Sequence, residues 1–262
     1  METVKPFYRR RIDGIDISYV DCSGHVFARH AHDEFVISAN CLGGEAIWLD
    51  RKSLEAGPNH VTLYNPGQLQ AGHGHAAPWT IMSFHVEPAV LPRIFGLSAE
   101  TVFDTPVLYH PRLATTLRNV GGYSLSPDVS DDQALEAITR VLARLLASVG
   151  SHPRSASRSV PSRVGRIRER LLAEADDPQS LLELAAGEDM TQVQVVRAFS
   201  RTYGLPPFAW LMVERLKQAR SRLEREEPIA QISMELGFSD QAHFTRRFKA
   251  MYGVLPGVWR GG

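Results

Sequence analysis

A chain of 262 residues with 44% apolar content is long and apolar enough for two packed domains, which excludes a disordered polypeptide. No uninterrupted apolar run approaches the roughly 20 residues that span a bilayer, and the opening METVKPFYRRRIDG lacks a hydrophobic signal core, so the reading is of a cytoplasmic protein away from membranes. The formal net charge of zero hides an asymmetry: residues 1–150 hold 12 Lys and Arg against 16 Asp and Glu, and residues 151–262 hold 17 against 13, which makes the C-terminal part the nucleic-acid candidate. An excess of four is modest, so dimerisation is expected to matter for affinity. Cys22 and Cys41 sit in no zinc or redox spacing and are expected to be reduced and structural.

From about residue 10 to residue 87 the chain runs through short stretches rich in β-branched and aromatic residues: GIDISYV, HVFARHAH, EFVISANCL, GEAIWLD, HVTLYNP and WTIMSFHV. Gly, Asn, Asp and Pro break them at short intervals, as expected of an all-β barrel or sandwich. After Pro88 the period changes. Residues 112–120 and 134–149 place Leu, Ile and Val at three- and four-residue spacing, and the second of these helices carries one apolar stripe, Leu135, Ile138, Leu142 and Leu145. The plain reading of that stripe is packing against its own barrel.

Residues 150–162, GSHPRSASRSVPS, read as a linker, rich in Ser, Pro and Arg and with Val160 as the one large apolar residue. Beyond it a helical unit occurs twice at an offset of 49 residues. Val195 pairs with Phe244, Arg197 with Arg246, Phe199 with Phe248, Tyr203 with Tyr252, Gly204 with Gly253 and Pro207 with Pro256. Each copy opens on a helix-capping residue, Thr191 or Asp240, and ends at Gly followed by Pro. A shorter helix precedes each, at residues 181–186 and 229–236, and the intervening turns carry Asp189 and Gly237, which tolerate left-handed backbone. Each copy is therefore a helix-turn-helix whose second helix can enter a major groove. A long helix from Pro207 to about Arg225 joins them. If rigid, it sets the two recognition helices about one turn of B-DNA apart, ~34 Å.

At this point the chain resembles a known family. IAQISMELGFSDQAHFTRRFKAMYGVLPGVWR looks like the second helix-turn-helix signature of the AraC/XylS transcriptional regulators, and LLELAAGEDMTQVQVVRAFSRTYGLPPFAWL like its more degenerate first one; together they cover about the last hundred residues. Asp189 stands where the family usually has Gly, and Ser233 where it usually has Ala. A weaker match, HAHDEF, Gly43-Gly44 and NPGQLQAG, is similar to the sensory domain of the same family. The resemblance implies a cupin-like effector-binding and dimerisation domain over residues 1–150, a linker over 151–162 and a double helix-turn-helix domain over 163–262. It also implies an antiparallel helix pair at a homodimer interface.

On the second recognition helix Phe244 and Phe248 are one turn apart and form the core face, leaving Gln241, Ala242, Thr245 and Arg246 outward. Gln pairs bidentately with adenine and Arg with guanine, and Ala or the Thr methyl meets the thymine methyl; the alternative is an ordinary solvated face. On the first, Val195 and Phe199 point inward, leaving Gln192, Val193, Val196 and Arg197 outward. The two outward valines suit thymine methyl contact, or else pack on the long helix. Arg201, Arg247 and Lys249 suit phosphate contact or solvation.

In the β-domain, His30-x-His32 opens a metal-cupin motif and His73-x-His75 follows, but no Glu comes at the interval that motif needs and Gln70 fills its later His position. The expectation is therefore a metal-free, cofactor-free barrel whose interior binds an organic effector, with His30, His32, Phe35, Trp48, Tyr64 and Trp79 as candidate lining. Packing is the competing role for these side chains, and hydrogen-bonded or surface positions for His60 and His110.

The reading is a non-enzymatic, sequence-specific regulator with promoter DNA, a small effector, a second copy and, for an activator, RNA polymerase as partners. Its rivals are a metal-dependent cupin enzyme or metal sensor with an appended DNA-binding domain, and a regulator whose barrel binds no ligand.

Overall fold

The computed structural model describes residues 7–76, 78–153 and 162–261, and the chain divides into two compact units, residues 1–154 and 155–261. Most of the segment expected to be a linker, residues 154–161, lies outside the described residues. Its first three residues are a correction: β12 (Ser151–Pro153) pairs antiparallel with β10 (Thr101–Phe103), so the β-unit reclaims them.

In the N-terminal unit, β1 (Phe7–Ile12), β2 (Ile15–Asp21), β9 (Thr80–Val86), β4 (Phe35–Leu42), β7 (His60–Tyr64) and β11 (Val107–Tyr109) form one antiparallel sheet in that spatial order. A second sheet holds β3 (Val26–His30), β8 (Gln70–Gly74), β5 (Glu45–Leu49) and β6 (Lys52–Ala56). The two sheets are not closed into a barrel. They face one another as a cupin-like jelly roll, with Val36 and Tyr64 of the larger sheet packed on Ile47, Leu49 and Ala56 of the smaller. Trp79, fully buried beside Cys22, Ile81 and Phe27, fills the same interlayer, and a Cβ at Gly74 would meet its ring at 2.8 Å. Both cysteines are free thiols, Cys22 buried and Cys41 partly so.

The other face of the six-stranded sheet is also covered. Here α1 (Pro111–Ser124) and α2 (Asp131–Ser148) lay Leu113, Leu117, Ile138, Leu142 and Leu145 against Ile15, Ile17, Ile37, Ala39, Phe84 and Val86. The α2 stripe is therefore spent inside its own domain: Ile138, Leu142 and Leu145 are buried and Leu135 packs at the margin. A homodimer cannot use those three side chains without unpacking this core. Ser130 and Gln133 cap α2 reciprocally, and a Cβ at Gly121 of α1 would meet the Met82 sulfur at 2.3 Å, which shows how closely α1 approaches the sheet.

The edge strand β1 carries three consecutive arginines, each with an acidic partner. Arg9 forks onto Asp16 at 2.5–2.9 Å. Arg10 reaches Asp131 and the carbonyls of Ser124, Ser126 and Val129, tying β1 to the α1–α2 connection. Arg11 meets Glu87.

The C-terminal unit contains α3 (Ser162–Ala173), α4 (Leu181–Ala186), α5 (Gln192–Tyr203), α6 (Pro207–Glu224), α7 (Ile229–Glu235), α8 (Gln241–Tyr252) and α9 (Pro256–Gly261). Val164, Ile167 and Leu171 of α3 share a core with Leu184, Val195, Phe199 and Leu211. In the second half, Phe238, Phe244, Phe248, Tyr252 and Trp259 form a chain of ring contacts 4.6–6.0 Å apart. Both turns take the backbone that the sequence requires: Asp189 has φ 52° and Gly237 φ 68°, while Gly204 and Gly253 close their helices at φ 79°. Ser233, in the position usually held by Ala, is buried and its hydroxyl donates to the Ala230 carbonyl at 2.8 Å.

Arg215 on α6 is buried, and its guanidinium donates to the carbonyls of Ala175 at 2.6 Å, Asp176 at 3.3 Å and Gly237 at 3.0 Å. Burial pulls its pKa below the ordinary value, with Asp176 opposing. The turn at Gly237 is pressed against the same loop, so a Cβ there would stand 2.0 Å from the Asp176 oxygen. Gly237→Ala is expected to cost about 3 kcal/mol or more, whereas Gly24→Ala, at φ 72° with open space around it, is expected to cost only about 1 kcal/mol. Denaturant unfolding of both variants checks the contrast.

Candidate nucleic-acid interface and polar cluster

The second helices of the two helix-turn-helix units are α5 and α8, and their N-terminal caps set their starting points. Thr191 accepts from the Gln194 amide while Gln194 Oε1 accepts from the Thr191 amide at 2.8 Å. Asp240 accepts from the His243 amide at 2.6 Å, a bond that holds its carboxyl below the ordinary range. Val195 and Phe199, like Phe244 and Phe248, are fully buried. That anchoring turns Gln192, Val193 and Arg197, and Gln241, Ala242 and Arg246, outward as exposed residues; Val196 and Thr245 are partly covered. The eight positions correspond pair by pair across the two helices, 192 with 241, 193 with 242, 196 with 245 and 197 with 246. Val193 is 57% exposed, so it does not pack on α6; Val196 is partly covered. Arg247 donates to His243 and Lys249 is half-buried, whereas Arg222 is held by Glu227 and Glu235.

The six effector candidates of the β-domain do not share one wall. Trp79 and Tyr64 lie between the sheets. Phe35 lies on the other face of β4, in the helix-covered core against Phe103 at 5.5 Å between ring centroids, because residues of opposite parity face opposite sides of a strand. Trp48 likewise points away from the interlayer that its neighbours Ile47 and Leu49 fill. It lies under the Arg29 guanidinium at 4.1 Å and borders an open groove of about 490 Å³ with Val26, Phe27 and Ser53. A second groove, about 610 Å³, lies beside α1 and is lined by Tyr8, Tyr19, Cys41, Met82 and Arg118.

His30 and His32 belong to a polar cluster. His30 Nδ1 is 2.7 Å from the Ala28 carbonyl, and its Nε2 is 3.1 Å from His32 Nε2 and 3.2 Å from Gln70 Nε2. The His32 ring meets the His85 ring edge-on at 4.9 Å, and one donor atom each of His32, Glu34 and His85 lies within 4.8 Å of the others. Burial pushes the His85 imidazole down, opposed by Asp16 and assisted by Arg9. Glu34 and His85 went unnoticed in the sequence because neither stands at a metal-cupin interval. The signal was there as a charged residue opening a buried run and a histidine within β9.

A second buried network joins the sheets. Trp79 Nε1 donates to Asn40 Oδ1 at 2.9 Å, and Asn40 Nδ2 donates to Glu45 at 3.2 Å. Burial pushes the Glu45 carboxyl up to about 7, against the lowering effect of Asn40; burial, and after it the Glu45 carboxylate, also raises Tyr64. An acid with a higher pKa folded than unfolded binds its proton more tightly in the fold. Its stabilising effect is complete below the ordinary value of 4.5 and falls as pH rises to about 7. Glu45→Gln is therefore expected to remove a loss of up to about 3 kcal/mol between pH 4.5 and 7.5, read as the difference between the two proteins' urea unfolding curves.

Two family models match the chain, the AraC-like ligand binding domain over residues 14–154 and a helix-turn-helix domain over residues 184–262. The HTH-type transcriptional regulator MtrA of Neisseria gonorrhoeae is 26% identical over 99 residues, 37% of this chain and 33% of that protein. The chain thus matches about a third of the length of that relative. The arabinose operon regulatory protein of Salmonella typhimurium is 24% identical over 243 residues, 87% of this chain and 84% of that protein. Among solved structures, fatty-acid-bound ToxT of Vibrio cholerae superposes with a TM-score of 0.57 at 10% identity, covering 96% of each chain, a likeness of fold alone. With the ligand-binding model spanning more than half of its length and the helix-turn-helix model matching residues 184–262, this protein belongs to the AraC family of transcriptional regulators.

Proposed function

We propose that this chain binds promoter DNA through α5 and α8 and that a small molecule held by the N-terminal unit controls that binding. The carrying observation is the set of eight outward residues, in register on two capped helices whose opposite faces are locked into separate aromatic and aliphatic cores. Gln192, Arg197, Gln241 and Arg246 supply bidentate base-reading groups, and Val193, Val196, Ala242 and the Thr245 methyl supply apolar contact with thymine. Arg201, exposed on α5, adds phosphate contact. A regulator acting on a promoter works in the cytoplasm, as a homodimer, and as an activator it meets RNA polymerase. It performs no chemistry on its ligand.

Control follows from linkage. An effector that binds better to the DNA-competent arrangement shifts the population toward it by its differential affinity. The ligand-binding family model and the fatty-acid-bound form of ToxT support a sensing role for the β-domain. Trp79 and Tyr64 contribute to the walls between the sheets, and Trp48 to the outer groove.

Selection of bound DNA from a random pool, repeated with Arg246→Ala, tests the readout. The variant is expected to lose about 1–3 kcal/mol on the selected site and to relax discrimination at one or two base positions. Equal weakening on every sequence would assign Arg246 to a phosphate.

A further inference from the structure

We propose that His32, Glu34 and His85 hold a divalent first-row transition-metal ion, contrary to the metal-free domain that the sequence spacing suggests. The three side chains converge from two places in the fold. His32 and Glu34 stand in the connection from β3 to β4, and His85 comes from β9 of the larger sheet, where it pairs with Val36 across the ladder. Their donor atoms lie within 4.8 Å of one another. Donors on one tetrahedral ion at ~2.1 Å sit about 3.4 Å apart, so side-chain rotation of about an ångström closes the set.

The donor types fit such an ion. Two neutral imidazoles and one carboxylate suit zinc or iron(II), and three protein ligands leave a coordination position open. The surroundings fit as well. His32 and Glu34 are buried and His85 is half-buried, so the three donors lie largely screened from water. His85 Nδ1 is buried with no hydrogen-bond partner among the described residues, as is Gln70 Oε1, so the cluster as a purely internal network leaves polar atoms unsatisfied. His30, steadied by the Ala28 carbonyl and Gln70, buttresses the His32 ring in the way that outer partners orient metal-bound histidines. The interval at which the metal-cupin Glu is missing is thus bypassed by a carboxylate two residues after His32 and an imidazole on another strand.

The inference extends the sensing role proposed for this domain, but occupancy is measured without DNA. Untagged full-length protein, stripped by chelator and then equilibrated with Zn²⁺ or Co²⁺ and desalted, is expected to retain one ion per chain and to melt at a higher temperature. His32→Gln and His85→Gln are expected to weaken retention at least about tenfold. His73→Ala with His75→Ala, which removes two exposed imidazoles, is expected to leave it unchanged. Zinc X-ray absorption on the wild-type chain, which needs no variant to fold, is expected to show two imidazoles and oxygen. No retention by the wild type, retention in His32→Gln and His85→Gln equal to that of the wild type, or an all-oxygen shell would overturn the proposal. If the ion is retained while DNA affinity is the same loaded and stripped, the site stands and the sensing role for the ion fails.

Discussion

The buried guanidinium of Arg215 is the interaction on which the C-terminal unit depends. A charge without a carboxylate partner at hydrogen-bond distance is costly to bury, and this one is held by three backbone carbonyls, from Ala175, Asp176 and Gly237. Those carbonyls belong to the loop leading into the first helix-turn-helix and to the turn of the second. One side chain of the joining helix therefore fastens itself to both helix-turn-helix motifs. The tight approach at Gly237 belongs to the same knot, since the oxygen that excludes a Cβ there is that of Asp176.

The β-domain solves a different problem, because its larger sheet is covered on both faces. One face meets the smaller sheet and the other meets α1 and α2. The interlayer is not uniformly apolar. It carries the Trp79–Asn40–Glu45 chain and, beside it in the same domain, the histidine cluster, and each confines a titratable group to a place where its charge is costly. Polar groups so placed restrict the side-chain arrangements open to the sandwich, and they are where a ligand or a proton can act on it.

The helical half was legible to the level of single residues. Caps at Thr191 and Asp240, left-handed turns at Asp189 and Gly237 and stops at Gly204 and Gly253 are set by local chemistry, which a sequence displays directly. The β-half was legible as strands but not as faces. Phe35 and Trp48 were placed with the interior aromatics because alternation tells that neighbours differ, not which one faces in; that is decided by a second sheet and a helix layer distant in sequence. The short strands β6, β8, β10 and β11 gave too little apolar pattern to notice, as Gly-rich β8 illustrates. His85 and Glu34 escaped for the related reason that a ligand set assembled across strands has no fixed spacing.

The arginines of β1 also bear on how two copies can meet. An edge strand is the part of a sheet most open to pairing with another chain, and on β1 the three arginines are already matched by Asp16, Asp131 and Glu87, so that edge carries its charge in compensated form. Arg10 further pins that edge to the α1–α2 connection, so the strand is not free to swing out and exchange between copies. With the inner stripe of α2 already consumed, what the helix pair leaves for any partner is its solvent-facing side, where contacts are more polar and more easily reversed.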